Sequence, residues 1–324
     1  MIKRLHIKGF KSVKDINIDS RRINLFIGEP NTGKSNILES LGLLSAFAHT
    51  RRPLKDFVRM EHTQNLFYDG LVESGAFKIS MMLRDSEIGV TADYVQNRFQ
   101  FKSESQNLVS LDHEGRANRS HDLKKCHFVK FYRFRSGSKM DSQELGFLVP
   151  PDGDNLASLI FSSKELRQLV TSFFDPYGWQ FVVKPHERKL EIQKQSEGIV
   201  VNMPYFLASD TLQRMIFFRA AIESNRDSTL VFEEPEAHAF PFFTKHLGER
   251  IALDEYHNQY FIATHNPYLL SAILEKAPSA DIAVFVTYYR DYETRVKLLS
   301  QNETAWLFEA DPFFSIEQLL QEKT

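Results

Sequence analysis

Residues 28–36 read "GEPNTGKSN". Positions 28–35 match G-x-x-x-x-G-K-[ST] in full. Gly28 and Gly33 allow a tight loop whose successive N–H groups point at phosphate oxygens. Asn31, Thr32 and Asn36 belong to the same cradle. Lys34 reaches the β- and γ-phosphates, and the Ser35 hydroxyl is placed to ligate Mg²⁺. The alternative is a glycine-containing turn that merely caps a helix. Context favours the phosphate loop. An apolar strand, 23–27, precedes it, and "SNILESLGLLSAFA" behind it carries apolar residues at helical spacing, predicting a helix over 33–47.

Two further short strands, 2–8 and 13–18, lie upstream. From about 66 to 135 the chain is β-rich, interrupted by polar turns such as "HEGRANRS". Residues 154–174 predict one or two helices and 180–201 a meander. From 207 onward helices (210–224, 241–253, 267–275) alternate with apolar strands "STLVF", "YFIAT" and "IAVFVTYY". That alternation predicts a parallel sheet. The expected fold is an α/β P-loop NTPase with a mixed sheet and a β-rich, helical insert. One domain spans 1–324, with a nucleotide core at 1–47 and 207–324 and an insert at 48–206.

In "STLVFEEPEAHAFP" two carboxylates stand at a strand end. Paired there, they repel each other and lose solvation, so structure alone gives little reason for both. Chemistry does: Glu233 for Mg²⁺ and Glu234 as the base that polarises the attacking water. Pro235 turns the chain out of the strand. "YFIATHNP" repeats the layout, with His265 at a strand tip, where ligands of open α/β sheets bind. The stretch "FLASDTLQRM", 206–215, is a helix start, with Asp210 as cap and Gln213 placed as in a capping box. A helix N-terminus is also an anion site.

The 324 residues are 42% hydrophobic and 25% charged, with net charge −2, so no global basic signal points to nucleic acid. Two local basic runs stand out: Lys3, Arg4, Lys8, Lys11, Lys14, and Lys124, Lys125, Lys130, Arg133, Arg135. Cys126 is the only cysteine, which excludes an intrachain disulfide and fits a reducing cytoplasm. No apolar run approaches the ~20 residues that span a bilayer. The expected protein is cytoplasmic, with no membrane partner.

Together "IKGFKS" (7–12), "GEPNTGKSN", "SDTLQR" (209–214), "VFEEPEAH" (231–238) and "ATHNP" (263–267) resemble an ABC-type ATPase of the branch containing RecF, the SMC proteins and the OLD nucleases. The similarity is greatest to compact OLD-like ATPases. "PPDGDNL" at 150–156 also looks like a segment of that branch. The resemblance implies ATP and Mg²⁺ as cofactors and a homodimer or higher homo-oligomer of ATPase heads. Each nucleotide would lie between the phosphate loop of one subunit and Ser209 of the other. His265 corresponds to the switch histidine, and Lys11 and Ser12 to a stretch near the nucleotide.

Three departures qualify the resemblance. The usual glycine after Ser-Asp is missing, since Asp210 runs straight into Thr211; this implies slow hydrolysis. The stretch between Lys34 and Ser209 holds no heptads, so no coiled-coil arm is expected. The stretch after His265 is too short for a nuclease domain. The glutamine that usually senses Mg²⁺ has no assignable position. The expected output is regulation of a separate effector, in the setting of prokaryotic antiphage defence. The alternatives are a non-hydrolysing, ATP-gated scaffold and a RecF-like repair ATPase that binds DNA.

Overall fold

The apolar run ahead of the phosphate loop forms a strand, Ile23–Ile27, with all five residues buried. A strand buried on both faces needs a layer above and a layer below it. The computed structural model describes residues 1–49, 52–103, 106–120, 123–137, 146–184, 187, 189–307 and 319–320, and both layers are among them. In chain order the strands are β1 (Arg4–Phe10), β2 (Val13–Asp19), β3 (Ile23–Ile27), β4 (Phe77–Met82), β5 (Glu87–Val95), β6 (Arg98–Ser103), β7 (Gln106–Leu111) and β8 (Ala117–Ser120). They continue with β9 (Val129–Tyr132), β10 (Gln180–Lys184), β11 (Lys189–Ser196), β12 (Ile199–Pro204), β13 (Thr229–Glu233), β14 (Gln259–Ala263), β15 (Ile282–Arg290) and β16 (Glu293–Leu298). The helices are α1 (Lys34–Ala48), α2 (Leu54–Phe57), α3 (Leu156–Ser162), α4 (Lys164–Phe174), α5 (Asp210–Ser224), α6 (Pro241–Ala252), α7 (Pro267–Lys276) and α8 (Gln301–Trp306).

The central sheet has the order β16-β15-β3-β14-β13-β9. The five strands from β15 to β9 are parallel, and β16 closes the edge antiparallel to β15. The expected mixed α/β sheet is therefore present. Its residues alternate between two cores, as the two-residue strand period requires. Leu25, Phe232, Ile262 and Val284 face a core shared with helices α3 to α7. Phe26, Val231, Phe261 and Phe285 face the other. On that side Phe26 stacks between Phe261 at 6.3 Å and Phe285 at 5.1 Å.

The second core is closed by an antiparallel sheet, β2-β1-β4-β5-β6-β7-β8. Helix α1 lies between the two sheets, touching β1 on one side and β9, β13 and β14 on the other. That position explains its nearly complete burial and its lack of a polar face. Gly42 sits where a Cβ would lie 2.9 Å from the Phe57 carbonyl oxygen. The three N-terminal strands thus part company: β1 and β2 belong to the antiparallel sheet, while β3 crosses into the central one. Residues 48–206 divide three ways. Strands β4 to β8 extend the β1–β2 sheet, β9 completes the central sheet, and α3, α4 and the small sheet β10-β11-β12 form a separate layer. Among the described residues no helix is long and apolar enough to cross a membrane.

Candidate active site

The loop between β3 and α1 is held from two sides. Gly28 has φ 150° and Gly33 φ 96°, conformations that favour glycine. Space excludes a side chain as well: a Cβ on Gly33 would lie 2.0 Å from Thr294 Oγ1, and one on Gly28 would lie 2.3 Å from the Thr287 carbonyl oxygen. Thr287 stands on β15 and Thr294 on β16, so the edge hairpin clamps the loop. Thr32 Oγ1 donates to the Glu29 carbonyl and lies 2.8 Å from Thr287 Oγ1. Asn36 donates to Ser12 Oγ at 2.7 Å, and Ser12 in turn lies 2.7 Å from Thr294 Oγ1. Asn31 is exposed at the tip, with φ 62°. Sequence reasoning did not find Thr287 or Thr294, because a lone threonine on a strand carries no signal of its own.

No side chain caps the N-terminus of α1. Its first-turn N–H groups are the orphan donors that a phosphate satisfies. Ser35, partly exposed, stands on that turn. Lys34 folds back and donates to the carbonyls of Gly28 and Glu29, each at 2.7 Å. The donor set therefore fits a polyphosphate. Burial lowers the Lys34 pKa to about 8, against the opposing pull of Glu234 and Glu29. The sign gives a test. Above about 8 the unliganded lysine is largely neutral, and a bound polyphosphate restores its charge. Calorimetry in buffers of different ionisation enthalpy should find nearly one proton taken up per nucleotide at alkaline pH and little at neutral pH. Equal uptake at both would contradict it.

The two carboxylates at the end of β13 diverge. Glu233 is the last strand residue, and both its oxygens meet arginines: Arg59 Nη2 at 3.1 Å, and Arg133 Nε and Nη2 at 3.0 and 2.6 Å. Glu234, with φ 44°, has left the strand and turns the other way. Its Oε1 lies 3.2 Å from His265 Nε2. The hydrogen bond from His265 holds its pKa below the ordinary carboxylate range, despite partial burial and aided by Lys34 and Arg59. Glu236 supports the pair from beneath. Nearly fully buried, it accepts from Thr264 Oγ1 and from the His265 N–H at 3.2 Å. Burial raises its pKa even so. A carboxylate anchors the histidine backbone, then, while another meets its ring.

Ser209 is exposed and precedes α5. The cap differs from the expected one. Ser209, not Asp210, is the N-cap and accepts from the Leu212 N–H at 3.3 Å. Gln213 forms no capping box and instead donates to the carbonyls of Phe206 and Ala208. Asp210 pairs with Arg214 at 3.5 Å, the i,i+4 partner of its own helix. Thr211 Oγ1 donates to the His238 carbonyl at 3.0 Å, tying this helix start to the loop behind Glu234.

The basic runs divide: Lys11, Lys130 and Arg133 turn inward, while Lys3, Arg4, Lys8, Lys14, Lys124, Lys125 and Arg135 are exposed. Lys11 bonds Glu39 and the Arg59 carbonyl, and Arg4 pairs with Asp19 at 2.7 Å. Lys130 is buried against Asn225 and Ser228, 3.8 Å from the Phe147 ring centre, and burial lowers its pKa to about 8. Arg133 serves Glu39 and Glu233, and Arg135 pairs with Asp56 at 3.0 Å. Among the described residues no group of three or more His, Cys, Asp or Glu could hold a metal alone. A cation here would need phosphate oxygens and water, which is how Mg²⁺ usually binds.

Residues 1–144 match the family described as AAA ATPase domain. Residues 179–271 match the one described as AAA domain, putative AbiEii toxin, Type IV TA system. No curated protein matches the chain. Among solved structures the chain is similar to an SMC head bound to the C-winged helix domain of ScpA, at 14% identity and TM-score 0.59, over 93% of this chain and 98% of that one. It is also similar to the Smc head domain with an extended coiled coil bound to the C-terminal domain of ScpA derived from Pyrococcus furiosus. There the identity is 13% and the TM-score 0.54, over 95% of this chain and 98% of that one. At such identities the likeness is one of fold.

Proposed function

We propose that this chain is a P-loop ATPase of ABC/SMC-like fold, working as a nucleotide-dependent head dimer that regulates a separate effector protein. Lys34 and the first turn of α1 hold the phosphates of ATP, assisted by Gly28, Asn31, Thr32, Gly33 and Asn36. Ser35 and Glu233 are the residues assigned to Mg²⁺, which when bound would offset phosphate charge. Glu234 accepts the proton of the attacking water, and His265 orients Glu234 and faces the γ-phosphate. The observation that carries this reading is the 3.2 Å Glu234–His265 pair at adjacent strand ends, with Lys34 close enough to lower the Glu234 pKa.

Ser209 is assigned to the nucleotide of the partner subunit. Its exposure supports this, as do the large apolar residues beside it: Phe206 and Leu207 are 57% and 58% exposed, and Phe240 and Phe242 are 66% and 60% exposed. Exposed apolar patches mark association surfaces. Without the usual glycine the contact is looser and hydrolysis slow. Ser209→Arg should abolish ATP-dependent dimerisation and reduce ATPase activity at least about tenfold, since overfilling a packed contact costs about 1–3 kcal/mol. Unchanged dimerisation by light scattering would return the stretch to a plain helix cap.

The effector and the setting in prokaryotic antiphage defence are inferred. They are supported by the second matched family, described as a putative toxin of a toxin–antitoxin system. Co-purification from the native host tests the effector. One observation favours a non-hydrolysing scaffold as the second reading: the arginines on Glu233.

A further inference from the structure

Glu39 is fully buried in the middle of α1. No apolar pattern predicts a carboxylate there, and burying one alone is prohibitive. Three cations surround it: Lys11 from the β1–β2 turn, Arg59 at 2.8 Å and Arg133 at 2.9 Å. Burial pushes the Glu39 pKa up, but these three outweigh it and leave it below the ordinary range. The same two arginines reach Glu233. Arg133 follows β9, the strand paired with β13, and its side chain packs 5.1 Å over the Phe131 ring. The result is a closed ion-pair ring: Glu39, Arg133, Glu233, Arg59. Three cations face these two carboxylates, with Glu234 also within electrostatic reach of Arg59.

A metal-ligating carboxylate ought to present an available oxygen toward the cation. Glu233 does not fit that description as arranged. Each oxygen already accepts from a guanidinium, Oε2 from two nitrogens of Arg133 in the strong, charge-assisted geometry. A divalent cation would meet two guanidinium groups already seated on those oxygens. We propose that Arg59 and Arg133 clamp Glu233 closed, so that this ATPase binds nucleotide with little help from Mg²⁺ until the clamp opens. The inference rests on the metal role assigned above to Glu233. Arg133 acts as a positioning residue, fixed by the buried Glu39. Arg59, whose side chain is 59% exposed, is the partner able to leave.

The test uses the full-length chain and a fluorescent N-methylanthraniloyl ATP, read by anisotropy in excess EDTA and in millimolar Mg²⁺. Wild type should differ less than about threefold between the two buffers. Arg133→Gln should gain at least about tenfold from Mg²⁺, since it frees one oxygen and removes a cation from beside it. Glu39 keeps Lys11 and Arg59 in that variant, so no buried charge is orphaned. Arg59→Gln, at the exposed partner, should gain in the same direction without threatening the core. Adding Glu233→Gln to Arg133→Gln should abolish the gain. A large Mg²⁺ effect in wild type, unchanged behaviour of both arginine variants, or a gain that survives Glu233→Gln would each overturn the clamp. Absence of nucleotide binding by wild type in both buffers would overturn the ATPase premise with it.

Discussion

Lys34→Ala is expected to weaken ATP binding by at least about a hundredfold, the equivalent of roughly 2.7 kcal/mol. Lys34 is 5% exposed, and it opens a helix whose first N–H groups carry no side-chain cap. A phosphate placed there gains charge-assisted hydrogen bonds in a water-poor setting, where each is worth more than at a surface. Alanine removes the charge and also leaves the carbonyls of Gly28 and Glu29 without their 2.7 Å donor. Loop distortion and charge loss therefore act together. Lys34→Met, of similar length, keeps the bulk while losing the charge and its donors, and so separates packing from both. Equilibrium binding of a fluorescent ATP analogue measures both. Tight binding by either variant would remove the phosphate-loop assignment.

Glu234→Gln should lower the hydrolysis rate by about 10²–10⁴-fold, the usual worth of a general base. Nucleotide binding should persist, because the amide keeps the volume and can still meet His265. With hydrolysis blocked, the ATP-bound dimer should accumulate. Size-exclusion light scattering with saturating ATP and Mg²⁺ reads it, and a monomer there would count against the shared site. The pH dependence has a definite sign. His265 holds the Glu234 carboxylate below its ordinary pKa, so the base stays ionised into more acidic solution than a free glutamate would. The acid limb attributable to this group should lie below the usual carboxylate range, and His265→Ala should shift it upward.

Much of this was legible before any coordinates. The phosphate loop is a local device: its glycines, lysine and serine are consecutive, and the strand and helix flanking it carry periods of two and 3.6 residues. The placement of Glu234 and His265 just past neighbouring strand ends is equally legible, because each follows an apolar strand and parallel strands present their ends at one edge. The helix start at 209–210 is local too, but the cap falls on Ser209 and not on the expected Asp210, since Ser and Asp are both good caps and only backbone angles choose between them.

What the sequence by itself determined is thus everything encoded within about ten consecutive residues: the phosphate cradle, the strand–helix alternation and the acidic strand end. Tertiary structure alone decided the partners. Thr287 and Thr294 hold the glycines only because β15 lies beside β3. Glu39, Arg59, Arg133 and Glu233 come from four distant stretches and meet only because β9 pairs with β13 above a helix packed between two sheets. A run of lysines and arginines looks like a binding surface in one dimension. Tertiary packing turns Lys11 and Arg133 inward onto the buried Glu39 and leaves most of the others exposed. Strand order is set by how whole layers cover one another's apolar faces, and no window along the chain contains that information.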